Sequence, residues 1–177
     1  QEMDRAIFLG SGSGGEPTGL FAGAAAWGIN ERAVDAAATY AAFRSEVVDF
    51  ITGNAASGPN GVRVLIRPEV WDTMDDTIWD AGSGITEWGR FSAAMGSITM
   101  THNALEAPAG DPVTTSAVLT TTAGGVAPYF IGTWGAVDLI RDIFSDAQSG
   151  GLRLTALSTM NLTISRSVQP RILTGSR

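Results

Sequence analysis

The first residues in this sequence that suggest chemistry are glycines, because Gly10, Gly12 and Gly15 spell G-x-G-x-x-G. In dinucleotide-binding proteins this pattern follows a strand and opens a helix, whose N-terminus meets a pyrophosphate. Here the preceding residues indicate the end of a helix, and Pro17 imposes an extended path before any new helical period. The sequence therefore predicts a helix followed by a glycine loop that turns the backbone, without a phosphate site.

Other chemistry would have to use the single histidine, His102. A hydrolase that pairs His102 with a serine is one possible function, but the G-x-S-x-G motif that marks the nucleophilic serine in many such enzymes is missing. Asp72, Asp76 and Asp80 recur at helical spacing, but the calcium-loop pattern D-x-D-x-D-G is missing. We expect no catalytic residue, no cofactor and no metal, and we interpret the aspartates as a solvated face or a contact with arginines of a neighbouring subunit.

The composition predicts one globular domain with a sizeable core, since the chain has 177 residues of which 44% are hydrophobic. Charged residues make up only 16%, which is compatible with a surface partly covered by partners. The net charge is −7, and the scattered basic residues are all arginine, which argues against a dedicated nucleic-acid binder. Cysteine is absent, which excludes disulfides and zinc–thiolate sites. No apolar stretch is long enough to predict a membrane span.

The clearest predicted helix covers residues 30–53, where alanines give strong helix propensity. Asn30 is expected to cap this helix, and Gly53 to end it. Its buried face is expected from large side chains at helical spacing, namely Tyr40, Phe43, Val47, Phe50 and Ile51.

A buried strand is predicted at residues 62–66, and Pro68 then suits the first position of a second helix. Trp71, Met74 and Ile78 are expected to form the inner stripe of that helix, which residues 82–84 would close. The succession of helix, strand and helix indicates helices packed on a sheet.

The rest of the chain gives weaker signals. Residues 97–101 alternate as a strand does, whereas residues 102–125 are expected to be extended and partly an exposed loop. Residues 137–144 fit either a helix or a strand. Residues 152–156 and 162–164 alternate in the manner of half-buried strands.

Three segments, in this order and spacing, resemble the major capsid protein of tailed phages with the Hong Kong 97 fold. In residues 7–20 an aliphatic helix end precedes the glycine loop, Pro17 and Gly19. The family usually has an aspartate where this loop has Ser11. In residues 64–71 a strand is followed by a proline and a helix that begins near a tryptophan.

The third segment, residues 129–134, is similar to the family's F-G-D-[FW] turn and contains Gly132 and Trp134. Residues 168–170 resemble the end of the final strand, where a proline precedes a short tail. The resemblance also implies that residues 137–143 are extended.

The fold that the resemblance implies is α+β, with a mixed sheet flanked by helices in an axial domain and with part of a peripheral domain. Residues 1–29 would form the end of a spine helix and the glycine loop of the peripheral domain. Residues 30–128 would form the axial domain, and residues 129–177 the returning strands of both domains. On this basis we expect the chain to be a C-terminal fragment or a processed form.

The function that the resemblance implies is that of a structural, non-enzymatic shell protein. It would assemble into the pentamers and hexamers of an icosahedral phage or prophage capsid around double-stranded DNA. Its partners would be copies of itself, together with a portal, scaffold or maturation protease, and its place the virion capsid, assembled in the host cytoplasm. Alternatives are an encapsulin-like bacterial compartment, the hydrolase described above and a carbohydrate-binding module with exposed tryptophans.

Tryptophans are the expected anchors between subunits. Trp71 is interpreted as core because of its stripe, whereas Trp79 and Trp88 flank the glycine turn at residues 82–84 and are better interface candidates. The residues expected to serve assembly or structure are Gly10, Gly12, Gly15, Pro17, Gly19, Pro68, Trp79, Trp88, Gly132 and Trp134.

Overall fold

The computed structural model describes residues 2–110, 113–142, 144–145 and 149–176. The α-helices are α1 (Glu2–Leu9), α2 (Leu20–Trp27), α3 (Tyr40–Thr52), α4 (Pro68–Asp76) and α5 (Glu87–Ala94). The strands are β1 (Asn30–Ala36), β2 (Val62–Ile66), β3 (Ile78–Asp80), β4 (Ile85–Thr86), β5 (Ser97–Met100), β6 (Thr115–Thr121), β7 (Tyr129–Asp142), β8 (Arg153–Ile164) and β9 (Pro170–Ser176). Within these residues no helix has the length and apolar character that a membrane crossing requires.

A mixed sheet organises the described chain, with the strand order β1-β9-β6-β2-β5. The two outer pairs, β1–β9 and β2–β5, are parallel, whereas β6 runs antiparallel to both of its neighbours. Two smaller units stand apart from this sheet, the hairpin β3–β4 and the long antiparallel ribbon β7–β8. The expected α+β class, with a mixed sheet flanked by helices, is confirmed.

One face of the sheet is covered by α3, α4 and α5. Alternate residues of the strands face these helices, as the period of two in a strand requires. Phe43 and Phe91 meet in this core with their ring centroids 4.7 Å apart. The buried side chains of this layer include Phe43, Val47, Phe50, Val62, Val64, Ile66, Val70, Met74, Phe91, Ala117, Leu119 and Leu173.

The opposite face of the sheet is covered by α2, with α1 packed beside it. Val118 and Ile172 point to this side, because they alternate with residues that face the other core. Leu20 and Ala24 of α2 and Leu162 of β8 complete the buried cluster. Helix α1 lies more open, and its Phe8 contacts the ring of Tyr129 edge-on at 6.5 Å. The base of the ribbon is thereby joined to the body.

The helix predicted at residues 30–53 is only half right. Helix α3 begins at Tyr40 and is followed by Gly53, and three side chains of its predicted face are buried, but Ile51 is exposed. Asn30 does not cap a helix, because residues 30–36 form strand β1. The physical reason is a distant partner, since β9 offers this segment a parallel ladder of hydrogen bonds. Such pairing overrides the local helix propensity of alanine.

Strand β2 and the start of α4 at Pro68 are confirmed. The inner stripe predicted for α4 is right only in Met74, because Val70 is the other buried residue of the helix whereas Trp71 is 38% exposed. Ile78 lies beyond the helix, which ends at Asp76 and passes into strand β3. Residues 82–84 accordingly join β3 to β4 and do not close α4.

The strand predicted at residues 97–101 is confirmed as β5. Residues 102–125 were predicted to be extended and partly an exposed loop, and their second half is indeed extended. It contains β6, which pairs on both sides and is the central strand of the sheet. The burial of this strand was not predicted. Threonine is β-branched and fits a strand well, and here Thr115 and Thr121 are buried.

Residues 137–142 are extended within β7, as the resemblance implied, and Ile143 lies outside the described residues. Residues 129–134 also belong to β7 and do not form a turn. Pro170 begins the last strand and does not end it. Proline is tolerated at the first position of a strand because its missing N–H is needed least there.

Candidate functional site

The glycine loop between α1 and α2 closes on itself. The amide of Gly19 donates to the carbonyl of Gly10 at 2.9 Å, and the amide of Gly12 donates to the carbonyl of Pro17 at 3.2 Å. A Cβ on Gly10 would lie 2.3 Å from the carbonyl oxygen of Pro17, and one on Gly19 would lie 2.5 Å from the nitrogen of Gly10. Gly12 and Gly15 have φ of 70° and 90°. These glycines therefore serve backbone crossing and left-handed turning.

A carboxylate inside the loop locks it further. The amide and the hydroxyl of Ser11 both donate to one oxygen of Glu16, at 3.1 and 3.0 Å. These hydrogen bonds lower the pKa of Glu16, and Arg5, with its guanidinium 3.8 Å away, adds a smaller effect. The Ser11 amide, which a phosphate would need, is thus already occupied by a negative group. The geometry supports the prediction that this loop is no dinucleotide cradle.

The loop borders the ribbon β7–β8. Residues 12–18 and Trp134 line one shallow depression with residues 159–161 of β8. A Cβ on Gly132 would stand 3.0 Å from the indole of Trp134, so this glycine leaves room for the tryptophan. The structure therefore brings the predicted residues Gly12, Gly15 and Pro17 close to the predicted pair Gly132 and Trp134.

The outer half of the ribbon carries apolar side chains on both faces. Leu139 is paired with Ala156 and Leu154 with Arg141, which places both leucines on one face. Ile140 and Leu157 alternate with them and lie on the other face. All four are at least half exposed. The strands predicted at residues 152–156 and 162–164 are confirmed as parts of β8, and Leu162 is buried, but the expected half-burial of residues 152–156 is wrong for this chain alone.

The turn at the end of β7 is ordered by Asp142. Its carboxylate accepts hydrogen bonds from the amides of Phe144 and Ser145, at 2.8 and 3.1 Å, and from the Ser145 hydroxyl. These bonds, the one from the Ser145 side chain first, hold the pKa of Asp142 below its ordinary value. Phe144 projects from this turn and is 83% exposed. The ribbon thus ends in a large, solvent-facing aromatic side chain.

The two candidate tryptophans of the hairpin region have different surroundings. Trp79 lies on β3 and is 53% exposed, with the guanidinium of Arg90 over its ring at 4.1 Å. Trp88 lies on α5, is half-buried and packs on Phe91 at 5.7 Å between centroids. Trp88 thus joins the edge of the core, and Trp79 remains the exposed member of the predicted pair.

The candidate His102 contributes to the structure through its backbone carbonyl. Arg67, directly before Pro68, is buried and donates to the carbonyls of His102 and Leu105 at 2.6 and 3.0 Å. The side chain of His102 is exposed, and within the described chain its imidazole makes no hydrogen bond. Residues 2–110, 113–142, 144–145 and 149–176 also hold no cluster of acidic or histidine side chains suited to a metal.

Sequence comparisons identify no relative, since no family model and no curated protein matches the chain. Several solved structures, in contrast, match the chain. The capsid protein of an empty GTA particle matches 98% of this chain with a TM-score of 0.63 at 19% identity. The capsid of Myoviridae phage XM1 matches the same share with a TM-score of 0.60 at 13% identity. The chain has a phage capsid fold. The fold implied by residues 7–20, 64–71 and 129–134 is therefore confirmed.

A virus-like particle from Pyrococcus furiosus shares this capsid fold over 82% of the chain, with a TM-score of 0.53 and 15% identity. The chain spans 56% of that protein, 59% of the GTA capsid protein and 60% of the XM1 capsid protein. The likeness thus extends over somewhat more than half of each capsid chain.

Proposed function

We propose that this chain is part of the subunit of an icosahedral shell, built from copies of one protein arranged in pentamers and hexamers around double-stranded DNA. The capsid fold supports this proposal. Head-to-tail contacts between copies close into rings, and weak contacts suffice when many act together. A net charge of −7 suits a container that must release its nucleic acid.

The observation that carries the proposal is the ribbon β7–β8. A two-stranded ribbon is marginally stable in water when it stands alone. Soluble monomers also avoid large contiguous apolar surfaces. This ribbon nevertheless exposes leucine and isoleucine on both faces, and Phe144 at its turn. We infer that other parts of the shell cover it.

The edges of the central sheet are poorer contact surfaces. Strand β1 is bulged, and Asp35 at the bulge has a φ of 47°. Its carboxylate lies against Gly175, where a Cβ would come within 2.6 Å of it. Strand β5, on the other edge, covers only Ser97–Met100. Bulges and short edge strands discourage edge-to-edge pairing, so assembly is left to the ribbon and the hairpin.

The assignment of domains follows the same proposal. Residues 1–29, with α1 and the glycine loop, together with the ribbon would form the peripheral part. Residues 30–128 would form the axial part, to which β9 returns at the end of residues 129–177. The hairpin β3–β4, with Trp79, would then be a contact around the ring, and the half-buried Trp88 would support it from α5.

The setting and the partners belong to the proposal as well. The protein would lie in the virion capsid after assembly in the cytoplasm of the host. A portal, a scaffold or a maturation protease would be its partners besides copies of itself. The role would be structural and not enzymatic, with no sequence-specific contact to the genome.

A double substitution in the ribbon tests the shell proposal. In the complete gene product, Leu139→Ser with Leu154→Ser removes apolar area from one face of the ribbon. We expect the yield of closed shells, measured by sedimentation velocity and electron microscopy, to fall at least about tenfold, because each contact is repeated in every subunit. The thermal unfolding of the unassembled protein should change little, because both side chains are exposed.

The matched control is Thr155→Ser with Thr159→Ser, which alters exposed polar positions of strand β8 in the same ribbon. It should assemble as the wild type does. A wild-type protein that stays monomeric under all assembly conditions, or a double leucine variant that forms normal shells, would contradict the proposal.

A further inference from the structure

The hairpin β3–β4 is too small to hold its own position. Its strands contain three and two residues, joined through residues 81–84. Such a unit is not independently stable in water. It still presents Ile78, Trp79 and Ile85, which are 58%, 53% and 44% exposed. Contacts with the body must therefore set the direction in which these side chains point.

One arginine makes the principal side-chain contact with Trp79. The guanidinium carbon of Arg90 lies 4.1 Å from the centroid of the Trp79 ring and 5.1 Å from the centroid of the Tyr40 ring. A planar guanidinium binds aromatic faces through the ring quadrupole and by stacking. Because Trp79 is on the hairpin and Tyr40 is on α3, Arg90 connects the two elements.

A buried carboxylate fixes Arg90 in turn. Glu87, which is 5% exposed, accepts from Arg90 at 3.2 Å and from the amide of Tyr40 at 2.7 Å. That amide is the first of helix α3, where a negative group is favoured by the helix dipole. The backbone of Glu87 also donates to the carbonyl of Thr77, directly before β3. The hairpin, α5 and the start of α3 are thus held by one continuous set of contacts.

We propose that Arg90 is a positioning residue, which holds hairpin β3–β4 in the orientation in which its apolar side chains meet a second copy of this chain. This inference rests on the proposed shell function. It adds to that function the residue that orients the contact surface. Arg90 covers part of the Trp79 ring, and more than half of the Trp79 surface stays free for a second copy.

Charge favours a second copy as the occupant. The apolar hairpin adjoins a group of exposed carboxylates on α4 and β3, and none of these forms an ion pair with a described residue. They are Asp72, Asp75, Asp76 and Asp80. The same chain exposes arginines elsewhere that also form no ion pair within the described residues, among them Arg141, Arg153 and Arg166. Exposed carboxylates on one subunit and exposed arginines on the next suit a head-to-tail contact.

Hydrogen exchange tests the positioning role directly. In the Arg90→Ala variant the amides of residues 77–86 should exchange about two- to fivefold faster, as expected when a surface cation–π contact is lost. The amides of β2 and β6 should keep their protection. The control is Arg44→Ala, which removes another arginine near Tyr40, at 5.9 Å, and leaves Trp79 untouched. Unchanged exchange of residues 77–86 in Arg90→Ala would overturn the inference.

A second variant covers the case in which Arg90→Ala does not fold. Trp79→Leu keeps an apolar side chain and leaves the pair of Glu87 and Arg90 intact, but it removes the aromatic face. It should loosen residues 77–86 to the same extent. Retained protection in Trp79→Leu would show that stacking does not hold the hairpin, and it would overturn the inference as well.

Assembly of the complete gene product supplies the second readout. Arg90→Ala should lower the yield of shells at least about threefold at equal protein concentration, whereas Arg44→Ala should match the wild type. A loosened hairpin with normal shell yield would overturn the proposed contact with a second copy. A wild-type protein that never assembles would instead defeat the shell proposal, and the exchange experiment would still decide the role of Arg90.

Discussion

The central strand β6 and the outer half of the ribbon β7–β8 both carry apolar side chains on two faces, but they have opposite surroundings. In β6 both faces are covered, one by α3 to α5 and the other by α2. In the outer half of the ribbon neither face is covered. The sequence of a strand thus indicates which of its faces are apolar, but it does not indicate which molecule covers them. For the sheet the cover is the same chain, and for the ribbon we infer another part of the shell.

The largest expected effect is a difference in unfolding free energy between a substitution in the core of the sheet and one in the ribbon. Phe43→Ala should lower the free energy of unfolding by about 3–5 kcal/mol, because a fully buried ring is replaced by a cavity against Phe91. Leu139→Ala should change it by no more than about 0.5 kcal/mol, because this side chain is exposed. Urea unfolding of the unassembled protein measures both. A large loss for Leu139→Ala would mean that the ribbon is covered by its own chain.

This contrast also marks what could be predicted from the sequence. The face of α3 was correct in Phe43, Val47 and Phe50, since helical spacing is a local signal. Strand β1 was missed because its partner β9 is distant in sequence and overrides the helix propensity of its neighbourhood. The extended path of β6 was expected, but its central and buried place was missed because it depends on both neighbouring strands.

The functional surfaces were predicted unevenly for a similar reason. The glycine loop was recognised from its helical flank and from Pro17, both of which are local. The difference in exposure between Trp79 and Trp88 depends on where α5 begins and on which ring Arg90 covers. Those are three-dimensional facts with no periodic signature. The contacts of Ser11 with Glu16 were likewise not visible as a motif.

A second prediction concerns the glycine loop between α1 and α2, which borders the ribbon. Gly10→Ala should destabilise the protein by about 1–3 kcal/mol, because the new methyl group would meet backbone oxygens of Pro17 and Ala6 that cannot move separately. Gly58→Ala is the control, since its backbone is extended and a Cβ there meets nothing within 4 Å. Thermal unfolding compares the two variants. Equal stability would show that the loop opens freely.

The smallest expected effect is a local response to acid. The pKa of Glu16 lies below its ordinary value, so its bonds to Ser11 stabilise the loop at neutral pH. That contribution is lost as the pH falls from the ordinary Glu range through the lowered pKa. The protection factor of the Ser11 amide, which compares its exchange rate with the intrinsic rate at the same pH, should therefore fall in this acid range in the wild type. Glu16→Gln should already have a low protection factor at neutral pH and show no further acid step, and an identical profile for both proteins would refute this role.

The closed glycine loop has a consequence for engineering. Its two ends are held together by the hydrogen bond from Gly19 to Gly10, so the residues between them form an appendage that does not set the distance from α1 to α2. At Gly14 and Gly15 added atoms would meet open space. Lengthening a loop whose ends already meet costs only a little closure entropy. A foreign peptide inserted between Gly14 and Gly15 would therefore be displayed once per copy of the chain without a change in the packing of the helices.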